Sequence, residues 1–251
     1  MKKYISKAAL ALGTLVFSAG IAGASGGTAH WGYSGAEGPA NWGHLTPEYE
    51  MCAKGKNQSP IDISGMIEAE LQPISFSYTP SPLDVVNNGH TIKQSFAPGS
   101  SITVDGHTYN LLQVHWHTPS ENHINGRSFP MEAHLVHADK DGNLAVIGVM
   151  YNTGAENSGI KTVWDKIPAK VGEAVKNPNA MVDPMALLPA DRDYYRFNGS
   201  LTTPPCSEGV RWMVMKQPVE ASAAQIEQFH STFHGDTNRP VQPVNARPVL
   251  Q

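Results

Sequence analysis

Three histidines are spaced so that a single metal ion could bind all of them. His115 and His117 are two residues apart, and His134 follows in a second segment of similar pattern. Residues two apart on a β-strand point to the same face, so His115 and His117 would share one face. His137, three residues beyond His134, would point to the opposite face. If the two segments pair as strands, three imidazoles meet on one face of a sheet.

This ligand set favours Zn²⁺. Three neutral imidazoles suit a tetrahedral zinc and leave a fourth position open for water. Because none of these ligands is charged, the ion keeps its full charge, which favours ionisation of that water. A metal-bound imidazole also needs a partner for its second ring nitrogen, and Gln113 and Glu132 lie on the ligand faces. A lone His-x-His in a chain with 11 histidines is more often surface or core, so the third histidine is the important addition.

The segments that carry these histidines alternate with a period of two, as half-buried strands do. Asp-Gly and Asn-Gly pairs at 105–106, 125–126 and 141–142 indicate hairpin turns between them. Ser222 and Gln225 have the spacing of a helix capping box. Strands are predicted at 101–104, 111–117, 131–138, 144–151 and 210–215, and short helices at 157–166 and 222–229. The predicted fold is mostly β: a single domain around a large twisted, mainly antiparallel sheet with short peripheral helices.

The first 24 residues have the order of a secretory signal peptide. Lys2 and Lys3 precede an apolar run, and Ala22-Gly23-Ala24 fits a cleavage site. A membrane anchor is the alternative, but the run is shorter than the roughly 20 residues that a spanning helix needs. We therefore expect an exported protein without stable membrane insertion once the signal is removed. The expected location is the periplasm, and the alternative is the extracellular space.

Removal of this segment takes away three lysines and changes the formal charge from −4 to −7. No run of basic residues remains, so nucleic acid is excluded as an expected partner. The two cysteines, Cys52 and Cys206, predict one disulfide, because an exported protein folds in an oxidising compartment. Two buried free thiols would be expected in a cytosolic chain. A bridge between them would close a long loop and stabilise the fold by roughly 4–5 kcal/mol in the chain-entropy model.

Several motifs in order resemble those of the α-class carbonic anhydrases, of the exported bacterial type. The motifs are His30-Trp31-Gly32-Tyr33, residues 57–63, Asn87-Asn88-Gly89-His90, residues 113–117, residues 131–137, residues 199–206 and Asn238-Arg239-Pro240. The resemblance implies a catalytic domain over residues 25–251, a sheet of about ten strands, and Zn²⁺ as cofactor. It implies reversible hydration of carbon dioxide to bicarbonate and a proton by a metal-bound hydroxide, and it leaves a homodimer open.

The resemblance also implies a role for individual residues. His115, His117 and His134 match the zinc ligands. Thr202 matches the threonine that accepts the hydroxide's hydrogen bond, and Glu121 the buried carboxylate that takes the proton of that threonine. His90 matches the proton shuttle, a role that an imidazole of pKa near 6.5 suits. Without the resemblance, Thr202 would be an ordinary loop threonine and His90 a surface histidine. The implied substrate pocket comprises Val136, Val146, Leu201, Thr203, Val210 and Trp212.

Two positions depart from the family pattern. Asn122 stands where relatives commonly have a histidine after the glutamate, and Lys93 replaces a neutral residue of the polar wall. A cation at Lys93 is expected to lower the pKa of the shuttle by repulsion. Two other classes of protein are alternatives: a non-catalytic binding module that kept the fold, and a zinc peptidase. The complete histidine set argues against the first, and the lack of His-Glu-x-x-His against the second.

Overall fold

The computed structural model describes residues 29–251. The predicted signal peptide lies outside these residues, so its cleavage stays a prediction. Within residues 29–251 no helix is long and apolar enough to cross a membrane.

Strands dominate this part of the chain, and the helices between them are short. The strands are β1 (Asp62–Ile63), β2 (Ser75–Ser77), β3 (Ser81–Asn87), β4 (Ile92–Ser95), β5 (Ser101–Val104), β6 (His107–His117), β7 (His123–Ile124), β8 (Met131–Ala138), β9 (Leu144–Thr153), β10 (Ala174–Val182), β11 (Tyr194–Ser200), β12 (Glu208–Met215) and β13 (Val219–Ala221). The α-helices are α1 (Trp42–Leu45), α2 (Met51–Lys54), α3 (Ser158–Trp164) and α4 (Ala223–Phe233), and 3₁₀ turns lie at Gly35–Glu37, Pro47–Tyr49 and Pro184–Leu187.

One sheet of 11 strands forms the body of the molecule. Its main path runs β10-β3-β4-β6-β8-β9-β12-β11, with β5 beside β6, β2 beside β5, and β13 beside β9. Strands β12 and β13 pair with β9 in parallel, whereas the other pairings in this sheet are antiparallel. The mostly β, mainly antiparallel prediction is therefore confirmed, with parallel pairing near one edge that the sequence pattern did not reveal.

Both faces of the central strands are covered, and each face meets a different apolar cluster. Val114 and Trp116 of β6 and Leu135 of β8 pack into the larger cluster. The opposite face carries a second cluster that includes Val146 and Trp212. Because side chains alternate along a strand, the candidate metal ligands of β6 and β8 lie on the side of this second cluster.

The two predicted helices are present at the periphery. Asn157 caps α3 by accepting hydrogen bonds from two backbone N–H groups. Helix α4 begins with the predicted capping box of Ser222 and Gln225, and it continues to Phe233, four residues beyond the prediction. The indole of Trp164 donates to the Gln225 carbonyl at 2.8 Å, which fixes the two helices to each other.

The predicted disulfide between Cys52 and Cys206 is also confirmed. It joins α2 to the loop after β11 and spans a sequence separation of 154 residues. Both cysteines are buried beside Trp42 and Tyr49, in a third small cluster. The bridge therefore ties an N-terminal segment to the loop that contains Thr202.

Candidate metal centre and active site

The pairing of β6 with β8 brings the three histidines together. His115 lies directly opposite His134 in the antiparallel register. The imidazole centroids of His117 and His134 are 4.7 Å apart, and that of His115 is about as close to both. One ring nitrogen from each histidine lies within 4.8 Å of the other two. His137 points to the opposite face, as predicted, where its Nε2 lies 2.6 Å from the Tyr78 hydroxyl.

A bulge in β6 directs His115 and His117 to the face opposite the larger apolar cluster. Leu111 pairs with His137 and Gln113 with Val136, so one residue of β6 is extra at Leu112. A bulge of this kind absorbs one residue and reverses which side chains face a given side. Odd-numbered Tyr109 and Leu111 therefore enter the larger apolar cluster, and so do even-numbered Val114 and Trp116. As a result, His115 and His117 face away from that cluster.

Each histidine has one ring nitrogen close to a polar group of the protein, and the other nitrogen is directed into the cluster. His115 Nδ1 lies 2.9 Å from Gln113 Oε1 in a hydrogen bond. His134 Nε2 lies 3.0 Å from Glu132 Oε1, but the two groups are not aligned as a hydrogen bond. His117 Nδ1 lies 2.6 Å from the Thr237 carbonyl oxygen. The inward Nε2 of His117 is buried and makes no hydrogen bond within the described residues. An inward nitrogen left in this state fits a metal ligand, and the set fits Zn²⁺.

Burial also suits the three imidazoles to metal binding. It is the largest cause that lowers the pKa of each of them, and neighbouring imidazoles lower the pKa of His115 and His134 further. Neutral imidazoles are the form that binds a metal ion. Near neutral pH the three side chains are therefore ready to act as ligands without losing protons.

Glu121 lies under the histidine cluster and is fully buried. Its Oε1 accepts a hydrogen bond from the Arg239 backbone N–H at 2.8 Å, and its Oε2 lies 3.5 Å from His117 Nε2. Burial raises the pKa of Glu121 to about 8, while the Arg239 N–H and the buried Thr202 hydroxyl oppose this rise. Within residues 29–251, Glu121 Oε2 makes no hydrogen bond. Thr202 and Glu121 are thus neighbours.

His90 lies at the other end of a small cavity that leads to the histidines. The cavity has a volume of about 150 Å³, and His90, His115 and His117 all line it. Asn88 Oδ1 accepts the backbone N–H of His90 at 3.0 Å and so shapes the turn before β4. The His90 ring stacks on Trp31, with centroids 3.7 Å apart and planes within 8°. His90 is therefore half-buried and held between the cavity and the surface.

The charge that acts on His90 is not the predicted one. The pKa of His90 is lowered mainly by burial and secondly by His30, whose ring centroid is 6.4 Å away. Lys93 instead makes a minor contribution that lowers the pKa of His115, which it faces across the pairing of β4 with β6. Lys93 is not among the causes that lower the pKa of His90, so the expectation that it tunes the shuttle has no support from this site and stays a prediction.

A family model for eukaryotic-type carbonic anhydrases matches residues 37–251 of the chain. The chain belongs to the carbonic anhydrase family. A carbonic anhydrase of Pectobacterium carotovorum is 48% identical over 223 residues, which cover 88% of this chain and 90% of that protein. A carbonic anhydrase of Neisseria gonorrhoeae is 45% identical over 245 residues, 97% of this chain and 95% of its own length.

A solved structure of similar fold extends this comparison. The α-carbonic anhydrase of Thermovibrio ammonificans, in complex with the inhibitor sulfanilamide, superimposes with a TM-score of 0.87 at 52% identity. The match covers 90% of this chain and 100% of that one. The chain is therefore an enzyme of the carbonic anhydrase family, whose general reaction is the hydration of carbon dioxide.

The side chains that the family resemblance groups into a substrate pocket lie together beside the histidines. The Trp212 ring stands edge-on to His134, with centroids 4.8 Å apart. Thr203 lines the small cavity next to His115 and His117. The other members, Val136, Val146, Leu201 and Val210, belong to the same apolar cluster as Trp212. The cluster of three histidines is thus bordered on one side by apolar side chains.

Sequence reasoning missed three contributors to this site. Thr237 holds His117 through a backbone carbonyl, and Arg239 reaches Glu121 through a backbone N–H. Neither contact leaves a signal in side-chain type. Trp31 stacks on His90 from a distant segment. Trp31 and Arg239 lie in motifs that carry the resemblance, which was the only available pointer to them.

Proposed function

We propose that the chain catalyses the zinc-dependent, reversible hydration of carbon dioxide to bicarbonate and a proton, and that His90 exports the proton. The observation that carries this proposal is the convergence of three imidazoles, each with one nitrogen directed into the cluster. Their outer nitrogens lie within 3.0 Å of Gln113 Oε1, Glu132 Oε1 and the Thr237 carbonyl. When bound, Zn²⁺ supplies a Lewis acid that lowers the pKa of a coordinated water, an effect for which carbonic anhydrases are themselves the standard example.

Thr202 and Glu121 would orient the attacking group. A hydroxyl has one proton to donate, and if Glu121 accepts the proton of Thr202, the Thr202 oxygen can only accept. The lone pair of the nucleophile is then turned toward the substrate. Glu121 must be ionised for this role, and the positive charge of an ion held by His117 and His134 would oppose the rise in pKa that burial causes. The short distance between Glu121 Oε2 and His117 Nε2 supports this coupling.

The apolar cluster would hold the substrate. Carbon dioxide is linear and has no net dipole, so an apolar surface beside the nucleophile is sufficient to hold it. Val146, Val210 and Trp212 are each 2% exposed, and Leu201 and Val136 pack against them. The polar Thr203 and His90 would face the opposite, solvated side of the cavity.

A stopped-flow assay of carbon dioxide hydration tests the proposal directly. The protein is loaded with one Zn²⁺ per chain, assayed, stripped with a chelator, assayed again and reloaded. We expect activity to follow the zinc content through all three steps. A zinc-loaded protein that hydrates carbon dioxide only at the uncatalysed rate would refute the proposal and favour a binding module that kept the fold.

Replacing His90 by alanine should slow turnover by about a hundredfold in dilute buffer, the lower end of what a positioned acid–base group contributes. Proton export follows bicarbonate release, so kcat should fall while kcat/KM for carbon dioxide stays nearly constant. Added imidazole should restore kcat, because a free base in the cavity can replace the lost side chain. His44→Ala, at an exposed histidine outside the cavity, is the matched control. An unchanged kcat for His90→Ala would exclude the shuttle role.

The pH dependence of turnover should respond to His30. A protonated His30 disfavours a proton on His90, so removing it with His30→Gln should raise the pKa of His90. The acidic limb of the kcat profile should then move to higher pH. Burial remains the larger cause and is unchanged, so the pKa should stay below its ordinary value. Superimposable profiles for the wild type and His30→Gln would contradict this, and the profile of Lys93→Gln tests the expectation for Lys93 in the same way.

We propose in addition that the enzyme is exported to the periplasm after cleavage near residue 24. The disulfide supports an oxidising compartment, and mass spectrometry of the mature protein would locate the cleavage site. An extracellular location is the alternative, which cell fractionation would decide. Sedimentation would decide between a monomer and the homodimer that the resemblance leaves open.

A further inference from the structure

Asn122 makes a buried contact behind one of the candidate metal ligands. Its side chain is fully buried. The Asn122 Nδ2 donates to Glu132 Oε1 at 2.8 Å, and that same oxygen lies 3.0 Å from His134 Nε2. The Asn122 Oδ1 accepts the backbone N–H of Ile61 at 3.1 Å. One amide therefore links the segment before β1 to the carboxylate that faces His134.

The two oxygens of Glu132 are held in different ways. Oε2 accepts backbone N–H groups from Glu121 and Asn122, both at 2.8 Å. These bonds fix Oε2 but leave the carboxylate free to turn about it. Oε1, the oxygen that faces His134, receives a single side-chain hydrogen bond within the described residues, from Asn122. Glu132 is completely buried, so solvent does not replace a lost donor.

We infer that Asn122 is a positioning residue that slows metal loss from the site by fixing Glu132 Oε1 against His134. The inference rests on the proposed function only in that His115, His117 and His134 hold Zn²⁺. A carboxylate that stays in place orients the imidazole and keeps its inward nitrogen directed at the ion. A carboxylate that turns away lets the His134 ring rotate, and the ion then has two firm ligands in place of three.

The rate of zinc loss from the full-length, zinc-loaded protein to an excess of chelator tests this role. Asn122→Leu keeps a similar volume but has no donor. Its zinc loss should be about 10- to 100-fold faster than that of the wild type, matching the loss of metal affinity that follows when a metal ligand loses its partner. Asn122→His places a ring N–H donor at this position, and its rate should be close to that of the wild type.

A matched variant separates this role from a general loss of stability. Asn87 is also buried, and its amide donates to the Pro168 carbonyl and accepts the Gly89 N–H. Asn87→Leu removes the same kinds of bond at a site without metal ligands. It should lower the free energy of unfolding of the zinc-free protein without changing the rate of zinc loss. If Asn122→Leu does not fold, Asn122→Ser, whose side chain is too short to reach Glu132, should show the same acceleration.

Two results would overturn the inference. One is zinc loss from Asn122→Leu at the wild-type rate, and the other is a rate for Asn122→His as fast as that of Asn122→Leu. Failure of the proposed function is a separate outcome: a wild-type protein that retains one zinc per chain but hydrates no carbon dioxide. In that case the zinc-loss rates still decide the role of Asn122.

Discussion

Replacing His134 by alanine should remove stoichiometric zinc from the purified protein and return carbon dioxide hydration to the uncatalysed rate. Two imidazoles would remain, and catalytic zinc sites use three protein ligands with one open position. The substitution also takes away the partner of Glu132, a carboxylate that is cut off from solvent. Metal content after gel filtration and stopped-flow hydration measure the two losses separately.

The control for this variant lies on the same sheet. His107 is an exposed histidine at the start of β6, the strand that also carries His115 and His117. His107→Ala should retain one zinc per chain and full activity. If His134→Ala kept its zinc and its activity, the three histidines could not be the metal centre, and the proposed mechanism would fail at its first step.

Removing the disulfide should have the largest effect on stability. The double variant Cys52→Ser, Cys206→Ser opens a loop of 154 residues, and the chain-entropy model assigns about 5 kcal/mol to such a closure. Both carbonyls of the bridge also accept buried hydrogen bonds, Cys52 from Arg239 and Cys206 from Gln58. Serine at both positions keeps these carbonyls, so the main loss is the constraint on the unfolded chain. The free energy of unfolding, from urea titration with zinc in excess, should fall by most of the roughly 5 kcal/mol that the model assigns, or about 4 kcal/mol.

The zinc affinity of this double variant should change far less than its stability, because the metal ligands lie on β6 and β8 and not on the bridged segments. The wild-type protein unfolded in the presence of a reducing agent provides a second measurement of the same quantity. A decrease below about 1 kcal/mol would mean that the reduced, unfolded chain is already compact and that the entropy model does not apply here.

The strand phase of the histidines could be predicted because alternation on a strand is a local property. The even spacing of His115 and His117 places them on one face, and the odd spacing of His134 and His137 places those two on opposite faces. The bulge at Leu112 was not predictable, since it depends on how β6 fits both its neighbours and the larger core. Simple alternation within residues 111–117 was sufficient only because the bulge lies at the outer end of that segment.

Contacts between distant segments were the part of the site that the pattern could not supply. Besides burial, the pKa of His90 is lowered by His30, which lies next to Trp31, the residue stacked on His90. Sequence reasoning instead chose Lys93, because it departs from the family pattern. The parallel pairing of β12 with β9 belongs to the same class, because it joins strands separated by more than 50 residues. Local spacing carries information about faces but little about which distant segment arrives at a face.

The contact between His117 and the Thr237 carbonyl has a consequence for how this family can vary. A carbonyl group is present in every residue type, so substitutions at position 237 need not disturb the orientation of His117. The path of the backbone must be kept, and the Thr118 and Thr237 main chains are tied to each other by a 2.8 Å hydrogen bond. The residue type at position 237 is therefore constrained by the buried Thr237 hydroxyl, which accepts the Thr118 N–H at 3.1 Å, and not by the contact with His117. A gained or lost residue between α4 and Arg239 would move the carbonyl that holds His117.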